Sequence, residues 1–438
     1  MIYTELVEKI RNNQANLGII GLGYVGLPLA IHFRELGCSV HGFDIDEDKI
    51  NKLNNGKSYI NHIEDKDIEK LIQNGDFATS DFSKISDMDI LFVCVPTPID
   101  SQRSPFMGHI IDTSEAISKY LRKSQLVLIE SSTYPGTTNE LIKPILEKSG
   151  LICHEDFYLA YSPEREDPGN KKYDISSIPK VVGADNPKSL DIALEIYSKL
   201  TETFAMNSSY EAEAVKLTEN IFRSVNIALV NELKTIYDHM GVDTWNVIDG
   251  AATKPFGFMP FYPGPGIGGH CIPVDPFYLT YKAREYSLPT KFIELAGEIN
   301  SSMPTYIVNK CQDHLNKGSM ALHGSNVLIC GVAYKKNVDD LRESPCLEIM
   351  DLLQKKGANL YFNDPLIKNI PSTRKFKNLT EIRSLEISPE SLKKIDLVVV
   401  CTDHDGFDYD CLINNSKRLI DTRSCLPKES YDEYIVKA

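Results

Sequence analysis

The chain has 438 residues, 42% of them hydrophobic and 25% charged, with a net charge of −14. That length accommodates two or three domains with ordinary cores. The acidic balance excludes nucleic acid as the main partner, because phosphate backbones are met by clustered Lys and Arg. Anionic small molecules stay compatible with it, held by local backbone amides and a few cations.

None of the ten cysteines falls in a CxxC pair, which argues against a zinc ribbon or a thioredoxin-like motif. Met1 to Asn16 is polar and carries no apolar signal core, and no window approaches a membrane-spanning length. The expectation is a cytoplasmic protein with reduced thiols and no membrane insertion.

In chain order, residues 1–16 predict a short polar helix. Asn16 to Ile20 is an apolar strand that runs into Gly21-Leu22-Gly23-Tyr24-Val25-Gly26 and then an apolar helix start. The next strand, Ser39 to Asp44, ends in an acid at the distance the dinucleotide fingerprint requires. Gly21 makes the tight turn, Gly23 lets backbone meet a pyrophosphate, and Gly26 lets helix pack on strand. Tyr24 and Val25 belong to the same turn. Asp44 would accept the ribose hydroxyls, favouring NAD over NADP, and Lys49 would line the adenine side. Two more buried strands follow, Met88 to Val95 and Gln125 to Glu130. Thr97 and Thr133 lie just past their carboxyl ends, where ligands bind in open α/β sheets, and are read as cofactor-side hydroxyls. Glu164 and Arg165 stand past a further strand, Tyr158 to Ser162. Lys180 to Gly183 is read as the last strand of this half.

Tyr210 to Gly241 has helical periodicity over some thirty residues, free of proline. It predicts a spine between domains and a surface for a second subunit. Lys216 and Asn220 share one face of it, a cation and an amide able to hold an oxyanion. Phe261 to Pro276 reads FYPGPGIGGHCIPVDP, which can be neither helix nor ordinary strand. Cys271 lies at the end of this glycine-rich cradle, with His270 before it and Asp275 after. A thiol so placed is a candidate covalent nucleophile over a bound phosphate or sugar.

From Asn326 a weaker version of the first pattern returns. Asn326 to Gly331 and Asn359 to Asp364 are strands, and Ile395 to Cys401 echoes Met88 to Cys94. Ser344 and Pro345 suit the cap and first turn of a helix. Without a GxGxxG this half suits a nucleotide diphosphate, with Lys335 and Arg342 as cations. Arg342 is also counted with the cofactor-side residues. Asn369 to Pro389 is expected to be a surface loop.

The stretches GLGYVGLP, SSTYPGTT, YSPER, EAVKLTENIFRSVNIALVNEL, GPGIGGHCIPVDP and GVAYKKNVDDLRESP together resemble the UDP-glucose/GDP-mannose dehydrogenase family over nearly the whole chain. PER, ENIFRSVNIALVNEL, KPFGFMPFYPGPG and the histidine before the cysteine resemble its UDP-N-acetylhexosamine branch, and KPFGFMPFYPGPG is most similar to the UDP-N-acetylglucosamine 6-dehydrogenases. The resemblance implies an α/β protein with two Rossmann-like doubly wound domains joined by a long central helix. It implies NAD binding in residues 1–205, a helical dimerisation and catalytic region in 206–315, and UDP binding in 316–438. The implied reaction is a four-electron oxidation of a UDP-N-acetylhexosamine at carbon six, using two NAD, for surface polysaccharide synthesis. Alternatives are UDP-glucose, UDP-N-acetylmannosamine, or a non-catalytic NAD or UDP-sugar binder.

By the same resemblance, Cys271 is the nucleophile and passes through a thiohemiacetal and a thioester. Glu164 activates the hydrolytic water, Lys216 and Asn220 hold the substrate oxygen, and Asp275 orients Lys216 or the water. Arg165, Lys254, Phe261, Tyr262, Gly266, Gly268 and Lys335 complete the substrate set, Lys254 reaching across a dimer, and the assembly expected is a homodimer or a higher homo-oligomer. Two departures from the glucose-specific pattern are Val274, where those enzymes carry a lysine, and Pro168, where they carry an acid.

Overall fold

The computed structural model describes residues 2–60, 63–73, 75–100, 103–165, 175–269, 272–373 and 375–438. His270, Cys271 and Pro168 lie outside the described residues. The chain divides into two compact units, Met1–Glu219 with Phe277–Leu288, and Asn220–Pro276 with Pro289–Ala438.

The first unit is built on an eight-stranded sheet. Its strands are β1 (Asn16–Ile20), β2 (Ser39–Phe43), β3 (Ala78–Thr79), β4 (Ile90–Val93), β5 (Leu126–Ile129), β6 (Tyr158–Tyr161), β7 (Lys180–Gly183) and β8 (Thr203–Met206). Their order is β3-β2-β1-β4-β5-β6-β7-β8, and every pairing is parallel except β6 with β7. Strand order reverses between β1 and β4, which is where a doubly wound sheet opens its ligand crevice. Alternate residues of the central strands feed two cores. Ile19, Phe92 and Leu128 face one, while Ile20, Leu91 and Val127 face the other. Burial on both faces explains why these strands read as continuous apolar runs. Each such side chain contributes about 1.5–3 kcal/mol. The amino-terminal helix spans Ile2–Arg11 and buries Leu6, Val7 and Ile10 on one side, so it is amphipathic rather than polar throughout.

The second unit carries a six-stranded parallel sheet. Its strands are β9 (Asn326–Cys330), β10 (Asn359–Asn363), β11 (Arg383–Ser384), β12 (Leu397–Val400), β13 (Leu419–Asp421) and β14 (Ile435–Lys437). The order β11-β10-β9-β12-β13-β14 repeats the winding of the first sheet. Val327 and Val399 face one core, Leu328 and Val398 the other. The helix Ser209–Met240 runs from the first unit into the second, and the helix Lys291–Lys317 precedes β9.

Two expectations are corrected. Lys180 to Gly183 is not the last strand of the first half, because β8 follows it with its middle residues exposed. Residues 369–389 are not only loop: they hold a short 3-10 turn at Asn378–Glu381 and the edge strand β11.

Candidate functional site

In the first unit the glycine turn is fixed by sterics. Gly21 has φ +91°, and a Cβ on Gly26 would stand 2.1 Å from the Gly21 carbonyl oxygen. Gly23 differs, since a Cβ there would meet no protein atom within 4 Å. Nothing in the chain itself requires a glycine at 23, whereas a pyrophosphate lying against the backbone does. The helix Gly26–Glu35 starts at Val25 with no side-chain cap, so its positive end is left open to an anion. Asp44 is buried. Its Oδ2 accepts the Leu22 N–H at 2.9 Å and its Oδ1 accepts the Asp46 N–H at 3.0 Å. Each oxygen keeps a lone pair for a ribose hydroxyl. Lys49 sits 3.6 Å from Asp44, and the Tyr59 hydroxyl donates to the Leu22 carbonyl. These residues fit NAD.

The loops after β4 and β5 are fastened from within the same unit. Thr97 is buried, and its carbonyl accepts the Tyr278 hydroxyl. Thr133 is fully buried and donates to Glu213 at 3.3 Å. Glu213, near the start of the long helix, also accepts the Gly136 N–H at 2.6 Å and both the N–H and hydroxyl of Thr138, at 2.8 and 2.7 Å. Burial lifts its carboxyl to about 7 against those hydrogen bonds. Glu213 thus ties the Thr133 to Thr138 loop to the helix.

Glu164 follows β6. Its Oε2 accepts Lys180 Nζ at 3.2 Å, its Oε1 accepts the Arg165 N–H at 2.7 Å, and its carbonyl accepts Lys216 Nζ. Arg165 is itself held by Glu219 at 2.6 Å and by the Pro179 carbonyl. Lys216 is buried, and an ammonium has three donors, so two remain after the Glu164 carbonyl. One unit therefore gathers a carboxylate anchored by a cation, and a second cation on the backbone of the same residue.

In the second unit Asn220, one turn along the helix from Lys216, donates to Asp275 Oδ2 at 2.6 Å. Asp275 opens the helix Asp275–Glu285 and is buried. An amide nitrogen carries two hydrogens, so Asn220 has a second donor that an oxyanion could take. The glycine-rich loop packs on the loop after β9. A Cβ on Gly268 would meet Tyr334 Cβ at 2.6 Å and the Glu343 carbonyl at 2.9 Å, and the Gly269 N–H donates to the Arg342 carbonyl at 3.0 Å. Gly266 has φ +135° and lies against Pro345. Phe261 packs edge-on against Phe222, and the Tyr262 hydroxyl donates to Asp249 at 2.7 Å. Lys254 is exposed, with Nζ over the Phe256 ring. The Arg342 guanidinium is bidentate on Asp340. Lys335 is half-buried in the loop after β9.

Several side chains of these sites gave no signal in the sequence. Arg423, after β13, lies against Gly264, where a Cβ would meet Nη1 at 2.6 Å, and it borders a cavity of about 580 Å³ shared with Trp245, Tyr262, Asp403 and Lys437. Glu130, Lys180 and Glu213 are also new. Their partners are far off in sequence, so no spacing announced them. Among the described residues no cluster suited to a metal ion is found, and no helix is long and apolar enough to cross a membrane.

The doubly wound order, the glycine turn and the acid at the end of β2 define the first unit as a dinucleotide-binding fold. The chain belongs to the UDP-glucose/GDP-mannose dehydrogenase family, whose NAD-binding domain matches residues 15–201, central domain residues 210–302 and UDP-binding domain residues 328–428. It is accordingly an NAD-dependent oxidoreductase of the UDP-sugar dehydrogenase kind. Protein CapL of Staphylococcus aureus is 36% identical over 94% of this chain and 96% of its own length. A UDP-N-acetyl-D-glucosamine 6-dehydrogenase of Pseudomonas aeruginosa is 38% identical over 80% of this chain and 83% of its own. Among solved structures, a UDP-D-ManNAc dehydrogenase from Pyrococcus horikoshii superposes with TM-score 0.85 at 28% identity, covering 96% of this chain and 98% of that one.

Proposed function

We propose that the chain oxidises the carbon-six alcohol of UDP-N-acetylglucosamine to the carboxylate, using two NAD in turn, in the synthesis of surface polysaccharide. The turn Gly21 to Gly26 with Asp44, Lys49 and Thr97 would hold NAD, which supplies a hydride acceptor for each oxidation, while Thr133, fully buried on Glu213, would act through the loop it fastens. The segment Phe261 to Gly269, Lys335 and Arg423 would hold the uridine diphosphate. Arg342 is a less suitable cation, since Asp340 already neutralises it.

In this reading Lys216 and Asn220 hold the substrate oxygen, first as alkoxide and later as oxyanion. The Cys271 thiolate adds to the aldehyde carbon and forms a C–S bond, giving a thiohemiacetal. Loss of the second hydride leaves a thioester. Glu164 takes a proton from water as that water attacks, the C–S bond breaks, and the thiolate is restored beside the product carboxylate. The observation that carries the reading is the joint anchoring of Glu164, its carboxylate on Lys180 and its carbonyl on Lys216. It sets a fixed base and a buried cation together past the end of β6.

The segments 1–205, 206–315 and 316–438 would divide this work as NAD-binding, helical and UDP-binding parts. Phe222, Leu229, Ile236 and Met240 are exposed along one stripe of the long helix and would pair with a second copy of the chain. The nine cysteines among the described residues are free thiols, as a reducing cytoplasm would keep them.

The sugar is read from the segment Lys254 to Gly266 and from the Pseudomonas relative. UDP-N-acetylmannosamine is the second reading, favoured by the Pyrococcus superposition. Four UDP-sugars, carrying glucose, N-acetylglucosamine, N-acetylmannosamine and N-acetylgalactosamine, should be assayed by NADH absorbance. UDP-N-acetylglucosamine is expected to give the highest kcat/KM. A higher value for any other sugar overturns the assignment.

A further inference from the structure

Behind Glu164 lies a buried chain of charge, of which the reaction above uses only the Lys180 contact. Lys180 opens β7 and is almost fully buried. Its ammonium donates to Glu130 Oε2 at 2.6 Å and to Glu164 Oε2 at 3.2 Å. Glu130, just past β5, has no exposed side-chain surface, and its other oxygen accepts the Tyr197 hydroxyl at 2.6 Å. Two carboxylates thus divide one ammonium. The inner one makes the shorter contact, and the outer one, with 12% of its side chain exposed, makes the longer.

A fully buried carboxylate costs several kcal/mol unless it is paired and hydrogen-bonded. Glu130 meets both conditions, but a buried ion pair is weak evidence for stability, since packed apolar residues do as well. Its position supplies a better account. A lone lysine beside Glu164 would hold that carboxylate strongly ionised and make it a poor base for water. With no lysine it would lose both its aim and its charge. A second carboxylate on the same lysine moderates the attraction while keeping the geometry. Burial acts to lower the Lys180 ammonium, but Glu130 and Glu164 outweigh it and hold it protonated; burial raises the Glu130 carboxyl, opposed by Lys180 and Tyr197.

We propose that Lys180 and Glu130 are positioning residues that set the basicity and aim of Glu164 for thioester hydrolysis. This rests on the reading of Glu164 as the hydrolytic base. Other titratable or charged groups near Glu164 include Lys216 on its carbonyl, Arg165 with its partner Glu219, Cys94 after β4 and Tyr197 behind Glu130. None of these contacts Lys180 as Glu130 does, with a charge opposite to its own.

The test is the pH dependence of acyl-enzyme decay in a single turnover of the full-length enzyme with UDP-N-acetylglucosamine and NAD, followed by intact mass after acid quench. In Glu130→Gln the amide can turn its oxygen to Lys180 and its nitrogen to Tyr197. Lys180 then acts on Glu164 alone. The acid limb of the profile should move down by about one pH unit, with the plateau at least threefold lower. In the charge-neutral pair Glu130→Gln with Lys180→Met, which also serves if the single variant fails to fold, the limb should move up by about one pH unit. Opposite shifts are not produced by loosened packing. Profiles that superimpose on the wild type in either variant overturn the proposal. Glu164→Gln separates the two claims. If it blocks decay while the other variants match wild type, only the positioning role fails. If it leaves decay unchanged, Glu164 is not the base and both readings fall.

Discussion

The two nucleotide folds of this chain are built on one plan and finished differently. Gly21 and Gly331 have φ +91° and +81°, and a Cβ on either would strike a carbonyl at the end of the fourth strand in its sheet, Cys94 at 2.7 Å and Thr402 at 2.3 Å. Asp89 and Asp396 each accept the N–H that starts the first strand, from Asn16 and Asn326. Asp44 and Asp364 each close the second strand, and each accepts an N–H from the turn, Leu22 in one and Val332 in the other.

The differences lie at the ligand end. In the first fold the helix begins at once, at Gly26, uncapped. In the second it begins at Pro345, and Ser344 caps it by accepting the Cys346 N–H. Asp364 is enclosed: besides Val332 it accepts the N–H groups of Ala333, Leu366 and Ile367, and it pairs with fully buried His404 at 3.2 Å. His404 Nδ1 accepts the Asn337 N–H, so Nε2 carries the proton donated to Asp364. The same acid, proposed as a ligand group in the first fold, is a structural post in the second. A closed helix end and a committed acid leave no place for a second dinucleotide.

Three substitutions press on this contrast. Asp364→Ala should have the largest effect, because four backbone donors and His404 lose their acceptor in a dry site. A loss of about 4 kcal/mol is expected in denaturant unfolding of the second unit, with NAD affinity unchanged. Gly26→Val should come next. The Cβ collides with Gly21 inside the turn, so titration calorimetry should show NAD binding weakened about a hundredfold. Asp44→Ala should be mildest, about tenfold in NAD affinity and little in stability. Equal effects of Asp44→Ala and Asp364→Ala on both readouts would erase the distinction.

How much the sequence disclosed follows from the range of the interactions involved. The first glycine turn was legible because its glycines and Asp44 lie within one short stretch with fixed spacing. The cap at Ser344 and the long helix were legible for the same local reason. Strand β8 was missed because its middle residues are exposed and give no apolar run. The helix Lys291–Lys317 was missed because Pro304 interrupts its pattern. Glu130, Lys180 and Tyr197 are joined across 50 and 67 residues, and single charged residues in apolar strands carry no period. Glu213 carries no signal of its own in the sequence, because the loop it holds lies 75 to 80 residues away.

The central claim is that one site performs both oxidations without releasing the aldehyde. Complete conversion of a limiting, weighed amount of UDP-N-acetylglucosamine with excess NAD tests it most directly. Two NADH per sugar, with no aldehyde trapped by hydroxylamine, is the predicted result. One NADH per sugar with free aldehyde in solution would contradict it.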